Sequence, residues 1–420
     1  MKRIIRNTTV LFLIVAWMMT SIHPLQAQRL SLDSVLAIVG RNNLMLREYD
    51  ERENALTEYA RGAKSWMAPM IGVGTFMRPY PGQEVMHENE KGAWMFSVEQ
   101  NIPNPFTLTA NKNFYESRSA VEKEARNVQL NILRSEAKSN FYQWTVNEKR
   151  LKVLNESERI IELMLDLARI RYPYNQGTLG SIYMAEGRLS EIKNMQLMTQ
   201  GEIEEASMRL KALMNLSPTD SITVDTSIST RFNVLQVSSD TVALASRRSD
   251  IRQIERSIES MRLNQAVQKA KARPEFKIRF DHMEPVGDMP RQYTAMAMIS
   301  IPIAPWSSRM YHSEIKGMDR DIAAMQKGRQ AILQEARGMV AGMAAKLNRM
   351  NQLLNNYEEK IIPALEKNHK TVMASYEENR EQLPSVIAAW EAVNMSQMEY
   401  LDKLQEYYIM IIAYEKEIEQ

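Results

Sequence analysis

The chain has no cysteine in its 420 residues. Disulfides, thiolate metal centres and cysteine nucleophiles are therefore excluded at once. Glycine and proline are scarce, at 15 each. That is too few for an all-β chain that must turn every few residues, and with 44% hydrophobic and 25% charged residues it favours long helices. Histidine occurs five times. There is no Gly-rich phosphate loop, no nucleophile elbow and no histidine pair at ligand spacing on a helix. The expectation is a protein that is not an enzyme and needs no cofactor.

Charge of one sign is lacking too. The net charge is +2, and the first 27 residues carry Lys2, Arg3 and Arg6 with no acid. Subtracting those three leaves about −1, so the basic footprint of a nucleic-acid binder is absent. The apolar run Val10 to Met19 falls short of the roughly 20 residues that a spanning helix needs. With its basic start and Leu25-Gln26-Ala27 behind it, residues 1–27 read as a secretory signal that leaves Gln28 first.

What the chain does have, it has twice. Tyr172, Asn175, Leu179 and Ser181 are matched by Tyr376, Asn379, Leu383 and Ser385, each at an offset of 204 (172 to 376). Met67-Ala68-Pro69 is echoed by Ala272-Arg273-Pro274, and Ile102-Pro103 by Ile301-Pro302. A repeat of this length implies two copies of one structural unit. The expected organisation is a first copy over 28–216, a connector over 217–240 rich in Ser, Thr and Asp, and a second copy over 241–420. Ile222-Thr223-Val224 suggests a short strand in the connector.

Ser31 is a good N-cap ahead of Leu32, Val35, Leu36 and Val39, and the helical pattern runs to about Ser65. Four segments then show period-two alternation, the mark of strands with one apolar and one polar face. Ile71, Val73, Thr75 and Met77 alternate with Gly72, Gly74 and Phe76; Trp94, Phe96, Val98 and Ile102 oppose Ser97, Glu99 and Asn101. Phe276, Ile278 and Phe280 oppose Glu275, Lys277, Arg279 and Asp281; Ala295, Ala297, Ile299 and Ile301 oppose Thr294, Met296, Met298 and Ser300. Between the strand pairs, Thr107 to Tyr172 contains no Gly and no Pro. About 65 helical residues would reach roughly 100 Å. A coiled-coil-like seam runs through it at Leu130, Leu133, Ala137, Phe141, Trp144, Leu151, Leu154, Ile161 and Leu165. The second copy repeats the pattern from Ser307, interrupted at Pro363.

Apolar-outward strands suit a membrane barrel with a wet lumen, whose lipid-facing residues here would be Trp94, Phe96, Val98, Phe276, Ile278 and Phe280. Four strands cannot close a barrel, and open edges in lipid leave backbone groups unpaired, so other copies of the chain must complete the wall. The helices carry Lys, Arg, Glu and Asn throughout and must stand in water.

On the Ser31-Leu32-Asp33 start, the two strand pairs, the Ile-Pro exits into long helices and the turns at Tyr172–Ser181 and Tyr376–Ser385, the chain resembles the TolC family of outer-membrane efflux proteins. The resemblance covers essentially the whole length after residue 27 and leans toward the branch paired with heavy-metal pumps. It implies a mainly α fold with a four-stranded transmembrane β contribution, and long helical hairpins in two tandem repeats. It implies a homotrimer with a periplasmic α-barrel and a 12-stranded β-barrel. Its partners would be a periplasmic adaptor, an inner-membrane pump and outer-membrane lipid. By the same resemblance, Gly177, Thr178, Leu179, Gly180 and Ser181, with Gln382, Leu383, Pro384 and Ser385, form the tip that contacts the adaptor. Glu381 stands where the first copy has Gly177, so the second turn is expected to differ in shape or contacts.

Tyr376, Glu377, Glu378 and Glu381 precede the second turn, and in a trimer each would become a ring of three, a candidate gate. Met86-His87, His282-Met283 and Met289 read as belonging to the loops between strand partners. Thioethers there would suit a soft cation, or would simply fill irregular packing. The resulting expectation is the exit duct of a tripartite efflux system. A type I secretion duct is an alternative, as is a periplasmic adaptor-like protein with helical hairpins. A periplasmic rod would leave the alternating aromatic residues without a reason.

Overall fold

Ser31 opens the first helix as its spacing predicts. In the computed structural model, which describes residues 29–87, 90–226, 241–302 and 304–419, its Oγ accepts from the Ser34 N–H at 3.2 Å. The signal segment 1–27 and residues 227–240 of the connector lie outside the described residues. Helix α1 (Leu32–Asn42) buries Val35 and Val39, one turn apart. It does not run on to Ser65. The chain turns extended at Asn43 (φ −64°, ψ 127°), and α2 (Leu44–Gly62) starts afresh. The cause lies 170 residues away. Asn43 is buried, and its Nδ2 donates to the Leu213 carbonyl at 2.9 Å. Leu213 is the last residue of a later helix, where carbonyls have no partner within the helix.

Ahead of α1, β1 (Arg29–Leu30) pairs in parallel with β4 (Thr223–Val224), the connector strand suggested by Ile222-Thr223-Val224. Strands β2 (Met70–Phe76), β3 (Ala93–Ile102), β5 (Phe276–Pro285) and β6 (Gln292–Ile299) form one antiparallel sheet in the order β2-β3-β5-β6. The central pairing, β3 with β5, joins the two copies of the sequence.

Helix α3 (Pro105–Arg171) is 67 residues long. Pro105 supplies a fixed φ and no N–H where none is needed, and Asn104 Oδ1 accepts from the Phe106 N–H at 3.0 Å. Pro305 opens α7 (Pro305–Asn356) in the same way. After α3 come a 3₁₀ turn (Tyr172–Tyr174) and α4 (Leu179–Leu213). The second copy begins with α5 (Thr241–Arg247) and α6 (Ser249–Ala270). Its α7 passes through a π-helical turn (Tyr357–Ile361) into α8 (Ile362–Glu377), then α9 (Leu383–Ile418). Pro363 explains the π turn: its ring clashes with the carbonyl four residues back and it donates no hydrogen bond, so the ladder lengthens by one residue.

The break at Asn43 has its counterpart at Arg248, between α5 and α6, at an offset of 205 (43 to 248). Arg248 Nη1 donates to the Glu417 carbonyl at 3.3 Å and also meets that residue's carboxylate. Glu417 is the second copy's equivalent of Leu213 (213 + 204). Burial alone would lower the Arg248 pKa. The hydrogen bonds and charges of Asp250 and Glu417 outweigh it and hold the guanidinium above its ordinary value.

Two compact units result, each drawing on both copies. One takes the described parts of Met1–Asn43, Leu133–Leu235 and Met343–Tyr414; the other takes Leu44–Ile132, Gln236–Gly342 and Glu415–Gln420. The first has a core of Leu154, Ile161, Met164 and Leu165 from α3 against Ile182 and Ile192 from α4 and Val386, Ile387 and Trp390 from α9. Burying each of these large side chains contributes roughly 1.5–3 kcal/mol. Leu133, Ala137, Phe141, Trp144, Leu154, Ile161 and Leu165 of the expected seam are buried, while Leu130 and Leu151 are partly exposed.

Asn43→Ala strands the Leu213 carbonyl in the interior. The expected cost is about 1–3 kcal/mol, read as a lower denaturation midpoint. Asn43→Asp should cost at least as much, because a carboxylate cannot donate. An unchanged midpoint in both variants would refute the role given to this bond.

Candidate functional site

Two regions combine the residues that the sequence singles out. The first is the sheet. Residues opposite one another in an antiparallel pair project to the same side, so the register decides what each face carries. Val98 stands opposite Phe280 and Ile71, Phe96 opposite Val73, Phe276 opposite Ile299 and Ile278 opposite Ala297. All six residues read as lipid-facing therefore lie on one face. They are 45–51% exposed, and Ile71 and Val73 more so. A monomer does not ordinarily leave so large an apolar area in water.

Exposed aromatic side chains occur near both ends of the strands. Trp94, Tyr293 and Tyr80 are exposed toward the β2–β3 and β5–β6 loops, and the Arg78 guanidinium lies 5.6 Å from the Trp94 ring centre. Trp66, Phe106 and Trp306 are exposed toward the helix connections, with Arg273 3.5 Å over Phe106.

The other face is polar. Lys277 pairs with Glu99 at 2.6 Å, and Arg279 with Asp281 at 2.8 Å. Among the described residues no further strand covers the outer edge of β2 or of β6. Among those residues, too, no helix is long and apolar enough to cross a membrane.

One expectation fails here. His282 and Met283 are not in a loop; β5 runs through them to Pro285. Consecutive strand residues point to opposite faces, so this His and this Met cannot act on one ion together. Among the described residues there is also no group of three or more His, Asp or Glu placed to hold a metal.

The second region is the pair of turns. Both share one backbone feature. Asn175 and Asn379 sit in the left-handed region (φ 58° and 60°). The Asn175 N–H reaches the Tyr172 carbonyl at 3.1 Å, and the Asn379 N–H reaches the Tyr376 carbonyl at 3.0 Å. Behind them Gln176 N–H bonds the Arg171 carbonyl, and Arg380 N–H the Ser375 carbonyl. Asparagine tolerates this conformation at a helix C-terminus. The turns differ in the approach: the first passes through the 3₁₀ turn Tyr172–Tyr174, whereas α8 stays α-helical to Glu377. The left-handed residue is the asparagine, and Gly177 does not have a positive φ.

The side chains differ between the turns as well. Thr178 caps α4 through its Oγ1, which accepts from the Ser181 N–H at 3.3 Å; Gln382 holds that position before α9. Leu179 is exposed, while Leu383 is buried in the hairpin core. Of the nine residues assigned to the tip, Ser181 and Leu383 are buried and the other seven are exposed. A cleft of about 290 Å³ lies between the turns, lined by Arg171, Gln176, Gly177, Asn379, Glu381 and Gln382 among others.

The residue that ties the two turns together was not singled out in the sequence. Arg171, the last residue of α3, donates to the Tyr376 carbonyl at 2.7 Å and the Glu377 carbonyl at 3.1 Å, and stacks 4.2 Å over the Tyr376 ring. Those carbonyls end α8, where a cation is favoured by the helix dipole. Of the four candidate gate residues, Tyr376 is buried under Arg171, while Glu377, Glu378 and Glu381 are exposed. Glu378 pairs with Arg380 at 3.2 Å.

Removing the guanidinium by Arg171→Ala should loosen the contact between the turns by about 1.5–3 kcal/mol. Faster amide exchange over 375–383 would report it. Arg171→Lys should not restore protection, since an ammonium cannot span both carbonyls and stack on a ring. Unchanged exchange in Arg171→Ala would remove the staple from the account.

No family model matches the chain, and no curated protein matches its sequence. Solved structures do match. The outer-membrane channel OprN superimposes with a TM-score of 0.73 at 15% identity, covering 92% of this chain and 89% of OprN. CusC, studied for the conformational changes accompanying folding and transmembrane channel formation, gives 0.75 at 14%, covering 92% and 91%. The open state of the Neisseria gonorrhoeae MtrE outer membrane channel gives 0.73 at 13%, covering 92% and 88%. At these identities the likeness is one of fold, and the fold of this chain is that of the TolC-family outer-membrane channels.

Proposed function

We propose that the chain is the outer-membrane exit duct of a tripartite efflux system. One observation carries the reading above the rest: a sheet with an exposed apolar face, exposed aromatic residues near both ends of its strands, a charged opposite face and two uncovered edges. In lipid each uncovered edge would leave backbone groups unpaired, at several kcal/mol each. Three copies, edge to edge, remove all edges in a 12-stranded barrel with Trp94, Phe96, Val98, Phe276, Ile278 and Phe280 toward lipid. The protein then resides in the outer membrane as a homotrimer, with its helical hairpins extending into the periplasm as an α-barrel. It is built as tandem repeats over 28–216 and 241–420, joined at 217–240, once the signal 1–27 is removed.

The duct is passive. A periplasmic adaptor docks on the exposed tip residues Gly177, Thr178, Leu179 and Gly180 with Gln382, Pro384 and Ser385. Ser181 and Leu383 hold the turns from within. Docking separates the turns, and substrate leaves through the wet lumen, energised by an inner-membrane pump. Threefold rings of Glu377, Glu378 and Glu381 favour cations at the gate, with Tyr376 acting through Arg171. The proposed role involves no catalysis.

A cation on the apolar face should block insertion. Phe280→Lys places a charge where it would cost about 2–4 kcal/mol near the bilayer midplane, whereas Met298→Lys on the polar face should be tolerated. The check is recovery of an oligomer from the outer membrane. Equal recovery of both variants would sink the barrel, as would a soluble monomer of the unaltered protein. In planar bilayers, Glu377→Lys with Glu378→Lys should move the channel from cation toward anion preference; an unmoved reversal potential would take these residues out of the gate.

A further inference from the structure

Along the polar face of the sheet the chemistry changes toward the β5–β6 loop. Glu99, Lys277, Arg279 and Asp281 are ion-paired. Beyond them Met95 stands opposite Met283, and Phe76 opposite Ala93, which in turn faces Pro285. These residues share the charged row's face by the period of two. A pocket of about 100 Å³ lies there, lined by Met77, Met283 and Met289 from three separate segments. Met283 is 9% exposed, following Asp281 at 3% on the same face of β5; Met77 is open to solvent.

Two features set this pocket apart from casual filling. Met283, the one of the three that lies in a strand, holds a place that a β-branched or aromatic side chain would ordinarily fill. Met77 also holds φ +50°, where a residue of that size is an outlier. Strain of this kind, of order 1–3 kcal/mol, gathers at functional sites. Beside it Gly92, with φ +73°, lets the backbone come so close that an added Cβ would stand 2.7 Å from the Arg78 Cα. Met77 thus lines the same pocket as Met283 and Met289.

We propose that Met77, Met283 and Met289, with Met95 adjoining, form a binding site for a soft monovalent cation, Cu(I) or Ag(I). Thioether sulfur selects such ions, and hard divalent cations would find no carboxylate among the pocket's lining residues. The site is built within one chain, so it stands or falls independently of the exit-duct reading.

The test uses the full-length protein in detergent, titrated with silver nitrate in chloride-free buffer and followed by equilibrium dialysis with metal analysis. One tightly held Ag(I) per chain is expected. The variant Met77→Leu/Met283→Leu/Met289→Leu keeps side-chain volume and should fold, yet lose at least about tenfold in affinity. A control with Met184→Leu/Met195→Leu/Met198→Leu on α4 should bind as the unaltered chain does. If the pocket variant fails to fold, Met289→Leu alone, in the loop, should still weaken binding. Equal retention by the pocket and control variants would overturn the proposal, as would the absence of a tight phase in the unaltered chain.

Discussion

The pairing of β3 with β5 is the contact on which the rest of the sheet depends. It runs from Ala93 opposite Pro285 to Ile102 opposite Phe276, and it fuses the two sequence copies into one surface. Because the strand period is two, a slip of one residue would carry Phe276, Ile278 and Phe280 to the charged side and bring Lys277 and Arg279 to the apolar side. The correct register is favoured from both faces. Lys277 reaches Glu99 at 2.6 Å, and Phe280 lies beside Val98. Neither contact survives a slip. The fold thus separates apolar from charged surface through a ladder formed across about 180 residues of intervening chain.

A second constraint acts at helix ends. Long helices leave carbonyls without partners at their C-termini, and each hairpin meets this with a side-chain donor from a distant segment. Asn43 serves the Leu213 carbonyl, and Arg248 serves the Glu417 carbonyl. These are equivalent positions of the two copies, filled by different residues. The backbone demand is the same and the chemical answer is free to vary, provided that the side chain donates. Arg171 meets a third such demand, at the end of α8, and couples the two turns as it does so.

Legibility in the sequence followed range. The four alternating strands, the length of α3, the cap at Ser31 and the doubled turns are all local patterns, and each appears where the spacing puts it, to within two residues except at the end of β5, which runs four residues further, to Pro285. What stayed hidden depends on partners far along the chain. Nothing near Asn43 announces that a carbonyl 170 residues away requires its amide, so α1 and α2 read as one helix. Arg171 looks like an ordinary surface arginine until Tyr376 is beneath it. The placing of His282-Met283 in a loop failed for another reason: the run Asp281-His282-Met283-Glu284 has no apolar alternation, and only pairing with β3 extends the strand through it.

The two copies diverge in ways that the shared backbone makes informative. The first hairpin's α3 is continuous, whereas the second passes through the π turn at Tyr357–Ile361. There Tyr400 donates to the Glu358 carboxylate, and burial raises the Tyr400 pKa above the ordinary tyrosine value. This carboxylate–phenol bond, next to a lengthened turn, offsets hydrogen bonding that the regular ladder loses at Pro363. At the far end, Leu383 is buried where Leu179 is exposed. The second turn is thus anchored by its own core residue and by Arg171 from the first. The first turn leaves Leu179, Tyr174 and Gly177 open to solvent. Two turns that share a left-handed asparagine thus differ in role, one gripped and one presented, and side-chain burial sets that difference.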